Sequence, residues 1–164
     1  MKSRTNPDHK LEVTYDPAAD LCWIEKPIGP YRVKKNGQAI WAVTNNSGKD
    51  VTLCFTDWQE NSTGTPTPAT PFTQPPPYTL YVPDKKTEKL SLDLSVNALI
   101  TRYKYVVEVN YLNGGHTRTW RSADPDLIVE GSATMPHGKP SKPAEKPAKP
   151  GKPPAKGKKA TRKR

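Results

Sequence analysis

From Tyr103 to Tyr111 every odd position is apolar: Tyr103, Tyr105, Val107, Val109 and Tyr111 alternate with Lys104, Val106, Glu108 and Asn110. Successive side chains of an extended chain point to opposite faces, so this run buries one side and wets the other only as a β-strand. Lys89–Val96 and Leu11–Tyr15 alternate in the same way. Shorter apolar runs occur at Leu21–Ile24, Ala39–Thr44, Val51–Trp58, Tyr78–Val82 and Leu127–Val129, and His116–Trp120 reads as a further strand after a turn. Turn residues punctuate them: Asp16-Pro17, Gly29-Pro30, Asn45-Asn46-Ser47-Gly48, Asn113-Gly114-Gly115 and Asp124-Pro125. The pattern carries no helical period, so it predicts an all-β fold, an antiparallel sandwich of about seven to nine short strands. Two hairpins are expected, one across Asn45–Gly48 and one across Asn113–Gly115, because these residues accept the backbone of tight turns.

The domain is expected to span residues 10–131, after a flexible N-terminus at 1–9. Residues 61–77 interrupt the rhythm with a Pro- and Thr-rich loop ending in Pro75-Pro76-Pro77. Structureless loops beyond about 12–15 residues are uncommon in compact domains, and this one reads as a mobile connector. From residue 132 apolar residues almost vanish, and the segment 132–164 is expected to be disordered. With no apolar area to offset the entropy of ordering, such a chain stays unfolded.

The net charge of +10 belongs to that segment alone. Residues 139–164 hold nine Lys, two Arg and one Glu, so 11 − 1 = +10, whereas residues 1–138 hold 15 basic and 15 acidic residues, so 15 − 15 = 0. The cations are Lys139, Lys142, Lys146, Lys149, Lys152, Lys156, Lys158, Lys159, Arg162, Lys163 and Arg164, spaced by Pro, Ala and Gly. An extended cationic chain meets many phosphates and releases their counterions, so it binds nucleic acid or another polyanion without reading sequence. Its composition resembles the Lys/Pro/Ala tails of linker histones, which implies electrostatic attachment to nucleic acid.

Little else points to chemistry. His9, His116 and His137 show no metal-ligand spacing, and no nucleophile elbow or phosphate-binding glycine loop occurs. No cofactor, no metal and no enzymatic activity are expected. Asp124 and Asp126 flank Pro125 as turn formers. Cys22 and Cys54 are too few for a disulfide scaffold and suit a reducing compartment. Trp23, Trp41 and Trp58 lie in apolar runs and read as core. Trp120 differs, because His116, Arg118 and Trp120 share one face of a strand and offer a surface on which a base or sugar ring could stack.

Tyr31-Arg32-Val33-Lys34-Lys35-Asn36-Gly37-Gln38-Ala39-Ile40-Trp41, followed by Asn45-Asn46-Ser47-Gly48, resembles the cupredoxin family. Tyr103–Val107 and Asp126–Glu130 resemble that family's closing strands. The resemblance implies a β-sandwich without copper. The position of the family's ligand Cys is Val107 here, and His116 has no Cys beside it. An immunoglobulin-like sandwich is the rival, although no Tyr stands two residues before Cys54.

The sequence thus leads to a non-enzymatic binding protein: a tail for polyanions and a sandwich for a protein partner. The alternatives are an envelope or structural sandwich whose tail meets anionic lipid or polymer, and a small-molecule or glycan module. No apolar run reaches transmembrane length and no secretory signal is visible, so a cytoplasmic location is expected.

Overall fold

The odd residues from Tyr103 to Tyr111 are all buried, and the strand they form, β9 (Arg102–Asn113), is the spine of the larger of two sheets. The computed structural model describes residues 6–26 and 28–131. The chain divides into two units, Met1–Ala133 and Thr134–Arg164; the segment 132–164 expected to be disordered, with its eleven basic positions, lies outside the described residues. No helix among the described residues is long and apolar enough to cross a membrane.

The other strands are β1 (His9–Asp16), β2 (Leu21–Ile24), β3 (Tyr31–Lys34), β4 (Gln38–Asn45), β5 (Val51–Glu60), β6 (Thr67–Pro68), β7 (Tyr78–Val82), β8 (Thr87–Asp93), β10 (His116–Arg121) and β11 (Asp126–Glu130). One sheet has the order β2-β1-β4-β8. The other runs β3-β11-β9-β5-β6, with β10 added on β9 and β7 on β5. The all-β sandwich is therefore as expected. Two of its eleven strands, β3 and the two-residue β6, are additional to the runs legible by alternation. Most pairs are antiparallel, but β1 with β4 and β3 with β11 are parallel.

The hairpin expected across Asn45–Gly48 does not form. β4 bonds to β1 and β8 in one sheet, and β5 bonds to β9 and β7 in the other. The segment is an arch between layers because Ala39, Trp41 and Val43 of β4 face Val51, Leu53 and Phe55 of β5 across the core. Asn45 fastens the arch from inside: its Nδ2 donates to Lys49 O (2.7 Å) and Val82 O (2.9 Å), and its Oδ1 accepts from Ser47. The second hairpin forms as expected, with His116 opposite Asn113 and positive φ at both Gly114 and Gly115.

Trp41 is fully buried at the centre, within 5.1–6.3 Å (ring centroids) of Tyr31, Phe55, Trp58, Phe72 and Tyr105. Its Nε1 donates to Tyr105 Oη at 3.3 Å, and Tyr105 stacks on Trp58 at 4.5 Å. Trp58 reaches this core through a β-bulge. Thr56 pairs with Val106 but Gln59 pairs with Lys104, so β5 carries one extra residue, and Asp57 takes φ 52° to absorb it. Phe55 and Trp58 consequently both point inward.

The 61–77 loop is anchored. Phe72 is buried edge-on against Trp58 at 5.1 Å and against Tyr78 at 5.5 Å. Thr70 Oγ1 and Tyr78 Oη lie 2.8 Å apart, Tyr78 Oη donates to Gln74 O, and Thr73 N donates to Asp93 O. Its prolines lack the N–H groups that would otherwise need partners there. The N-terminus is also held further out than expected. Asn6 is buried, its Nδ2 donates to Gln38 O and its Oδ1 accepts from Lys34 N, clipping β3 to β4.

Two outcomes follow from this packing. Phe72→Ala should cost about 3–5 kcal/mol in urea unfolding and open the 61–77 loop to proteolysis, whereas the exposed Thr67→Ala should do neither. The second concerns His9, whose ring stacks on Tyr31 at 4.7 Å while its Nε2 is buried without a partner. Burial holds its pKa below the ordinary 6.5. The unfolded chain therefore takes up the proton first as pH falls, so this contribution is complete above about 6.5 and is lost progressively below it. Melting temperature should drop between pH 7 and 5 in the wild type, and drop less in His9→Gln.

Candidate functional site

The tight turn at Gly114–Gly115 fixes which way β10 faces. Thr119 bonds Asn110, and Arg121 bonds Glu108 and Asp57, so Thr117, Thr119 and Arg121 line the outer face of the sheet. Arg118 and Trp120 turn the other way, toward β2 of the opposite sheet. Two edge strands from different sheets thus form a seam.

Asp20, in the β1–β2 turn with φ 50°, is the polar centre of that seam. Its carboxylate accepts from Tyr15 Oη and from Asn113 Nδ2 (2.7 Å), and it lies 3.5 Å from the Arg118 guanidinium. Its backbone carbonyl accepts from Tyr111 Oη at 2.7 Å. The hydrogen bond to the carboxylate pushes the Tyr15 pKa up to about 12, because ionising the phenol beside Asp20 would set two negative charges together. Next along the seam, Trp23 and Trp120 meet edge to face, with centroids 6.4 Å apart. Trp120 is half-buried and also lines a shallow recess of about 300 Å³ with Ile24, Lys26, Ile28 and Asp124.

The three residues read as a stacking surface are therefore only partly brought together. Arg118 is ion-paired with Asp20, Trp120 presents one edge to Trp23, and His116 stands exposed beside the turn. Asp20 was not singled out by sequence reading. Asp16-Pro17-Ala18-Ala19-Asp20 reads as a turn and gives no sign that its last carboxylate reaches strands about ninety residues away.

Other chemistry is sparse. Cys22 and Cys54 are free thiols in different sheets, and burial pushes both pKa values up, away from the reactive thiolate. Val107 is buried in the core and His116 is exposed on β10, so the two positions carrying the copper comparison are apart in character and place. Among the described residues no three His, Cys, Asp or Glu groups converge as for a metal ion. A recess of about 560 Å³ lies on the outer face of β5, β7 and β9 and is lined by Lys49, Asp50, Thr52, Tyr81, Asn110 and Leu112 among others.

No protein-family model matches the chain, and no curated protein does. Among solved structures it is similar to a chain in the crystal structure of the CsuC–CsuE chaperone–tip adhesion subunit pre-assembly complex, from archaic chaperone-usher Csu pili of Acinetobacter baumannii. The TM-score is 0.45 and the identity 15%, over 62% of this chain and 53% of that one. This chain thus spans about half the length of that neighbour.

Asp20→Ala should lower stability, since it removes the acceptor shared by Asn113 and Tyr15 and the anion beside Arg118. Amide exchange along β10 should quicken. His116→Ala, at the exposed tip, should stay within about 0.5 kcal/mol of the wild type.

Proposed function

We propose that this is a non-enzymatic, cytoplasmic binding protein. Its basic tail attaches to nucleic acid or another polyanion, and its sandwich makes the specific contact, to a protein. The observation that carries this reading is the segregation of charge: all +10 lies in residues 139–164, and residues 1–138 sum to zero. A neutral sandwich has no field of its own to draw a polyanion, so attachment rests on the tail. The tail offers no rigid side chains to a groove, so binding is sequence-blind. The cupredoxin resemblance of residues 30–58 and 103–130 fits this role, as a copper-free sandwich is a scaffold for contacts.

The test compares duplex DNA and RNA binding by the full chain with binding by residues 1–138, which contain the whole compact unit. With six to ten phosphate contacts, affinity of the full chain should fall about 10³–10⁵-fold between 50 and 200 mM salt. The shortened chain should bind weakly at every salt concentration. Equal affinity of the two chains overturns the proposal.

A further inference from the structure

Strand register sets a row of side chains on the outer face of the larger sheet. Thr52 of β5 stands opposite Asn110 of β9 on one side and Tyr81 of β7 on the other, and Thr119 of β10 stands opposite Asn110. At about 4.8 Å between strands, the four residues span on the order of 14 Å. The recess of about 560 Å³ lies over this row, and its size falls in the range of small-ligand sites, about 300–1,000 Å³.

Tyr81 is 57% exposed and Leu112 68%. Exposure does not leave the Tyr81 ring loose. Tyr81 Oη donates to Asp50 Oδ2 (2.8 Å) and Asp84 N donates to Asp50 Oδ1 (2.9 Å), so the phenol is tied to a carboxylate that is itself tied to the backbone. The Asp84 N–H and, after it, the Tyr81 hydroxyl hold the Asp50 carboxyl below its ordinary pKa, which keeps it an anion and an acceptor. Asn110 is also set in place. Its Oδ1 accepts from Thr119 Oγ1 (2.5 Å) and one Nδ2 proton goes to Cys54 Sγ (3.6 Å), which leaves the second free. The Thr52 hydroxyl has no hydrogen-bond partner among the described residues.

The charges lining the recess cancel, with Lys49 against Asp50. The Lys49 ammonium is also drawn 5.3 Å from the Tyr15 ring centroid. A phosphate or carboxylate ligand stacked on Tyr81 would meet the Asp50 anion beside that ring, so the site disfavours nucleotides and acidic chains. A protein partner needs about 800 Å² of matching surface. A pyranose ring needs far less: an apolar platform for its C–H face and donors and acceptors for the hydroxyls at its rim. The recess has the platform in a pinned aromatic ring, and the rim groups in a carboxylate, an amide N–H and a hydroxyl.

We propose that this recess binds a neutral oligosaccharide: a pyranose ring lies on Tyr81, its hydroxyls meet Asp50 and Thr52, and the chain continues over Asn110 and Leu112. The site is independent of the tail and of Trp120, which turns to the opposite side of β10.

The test is isothermal titration calorimetry on the full chain. Cellohexaose, xylohexaose and mannohexaose are the neutral probes, hexagalacturonate the acidic one and a uridine decamer the nucleic acid. At least one neutral glycan should bind, equally at low and high salt. Tyr81→Ala should weaken that binding about tenfold, whereas Tyr81→Phe, which keeps the ring, should weaken it far less. Thr52→Val should weaken it as well, and thermal melting checks that each variant is folded. Binding of no neutral glycan, or binding unchanged in Tyr81→Ala, overturns the proposal. Preference for hexagalacturonate overturns the assignment to a neutral ligand. Uridine binding that persists at high salt and is lost in Tyr81→Ala, with no glycan bound, overturns the sugar in favour of a nucleobase.

Discussion

The stack of Tyr105 on Trp58, with Trp41 edge-on to both, is the contact on which the sandwich depends. It joins the two sheets, because Trp41 belongs to β4 while Tyr105 and Trp58 belong to β9 and β5. Burying two indoles and a phenol in one place creates a polar debt that must be met locally. Trp41 Nε1 donates to Tyr105 Oη, and Trp58 Nε1 donates to Phe55 O, so both indole N–H groups are satisfied. Burial holds the Tyr105 phenol far above its ordinary pKa, so it stays a neutral acceptor for the indole.

That cluster explains features that look local. A regular β5 would turn Trp58 outward, because Val51, Leu53 and Phe55 already set the inward parity. One additional residue at Asp57 reverses the parity, and the exposed outer side of the bulge gains the Asp57–Arg121 ion pair. The Pro/Thr loop is drawn in by the same cluster. Phe72 fills the space over Trp58, and the rest of the segment is tied to the strands around that plug.

The alternation of Tyr103–Tyr111 was legible because a strand with one buried face must show period two. β3 was not, since Tyr31-Arg32-Val33-Lys34 is four residues long and lies among Pro27, Gly29 and Pro30. The arch at Asn45–Gly48 was hidden for a different reason. Asn, Ser and Gly allow a tight hairpin and an inter-sheet crossing alike, and only the shared inward direction of β4 and β5 decides between them. Phe72 was one aromatic among prolines, with nothing nearby to pair it to Trp58. At the seam, sequence reading set Arg118 and Trp120 on one face of β10, but their partners Asp20 and Trp23 come from the other end of the chain. Contacts of that separation leave no local pattern.

The separation of a neutral fold from a cationic tail has a physical consequence of its own. Ten uncompensated charges spread over a sandwich this small would repel one another in the compact state and make its stability depend on salt. Gathered in residues 139–164, they leave residues 1–138 with a net charge of zero. The stability of the fold therefore follows packing and the protonation of buried groups such as His9.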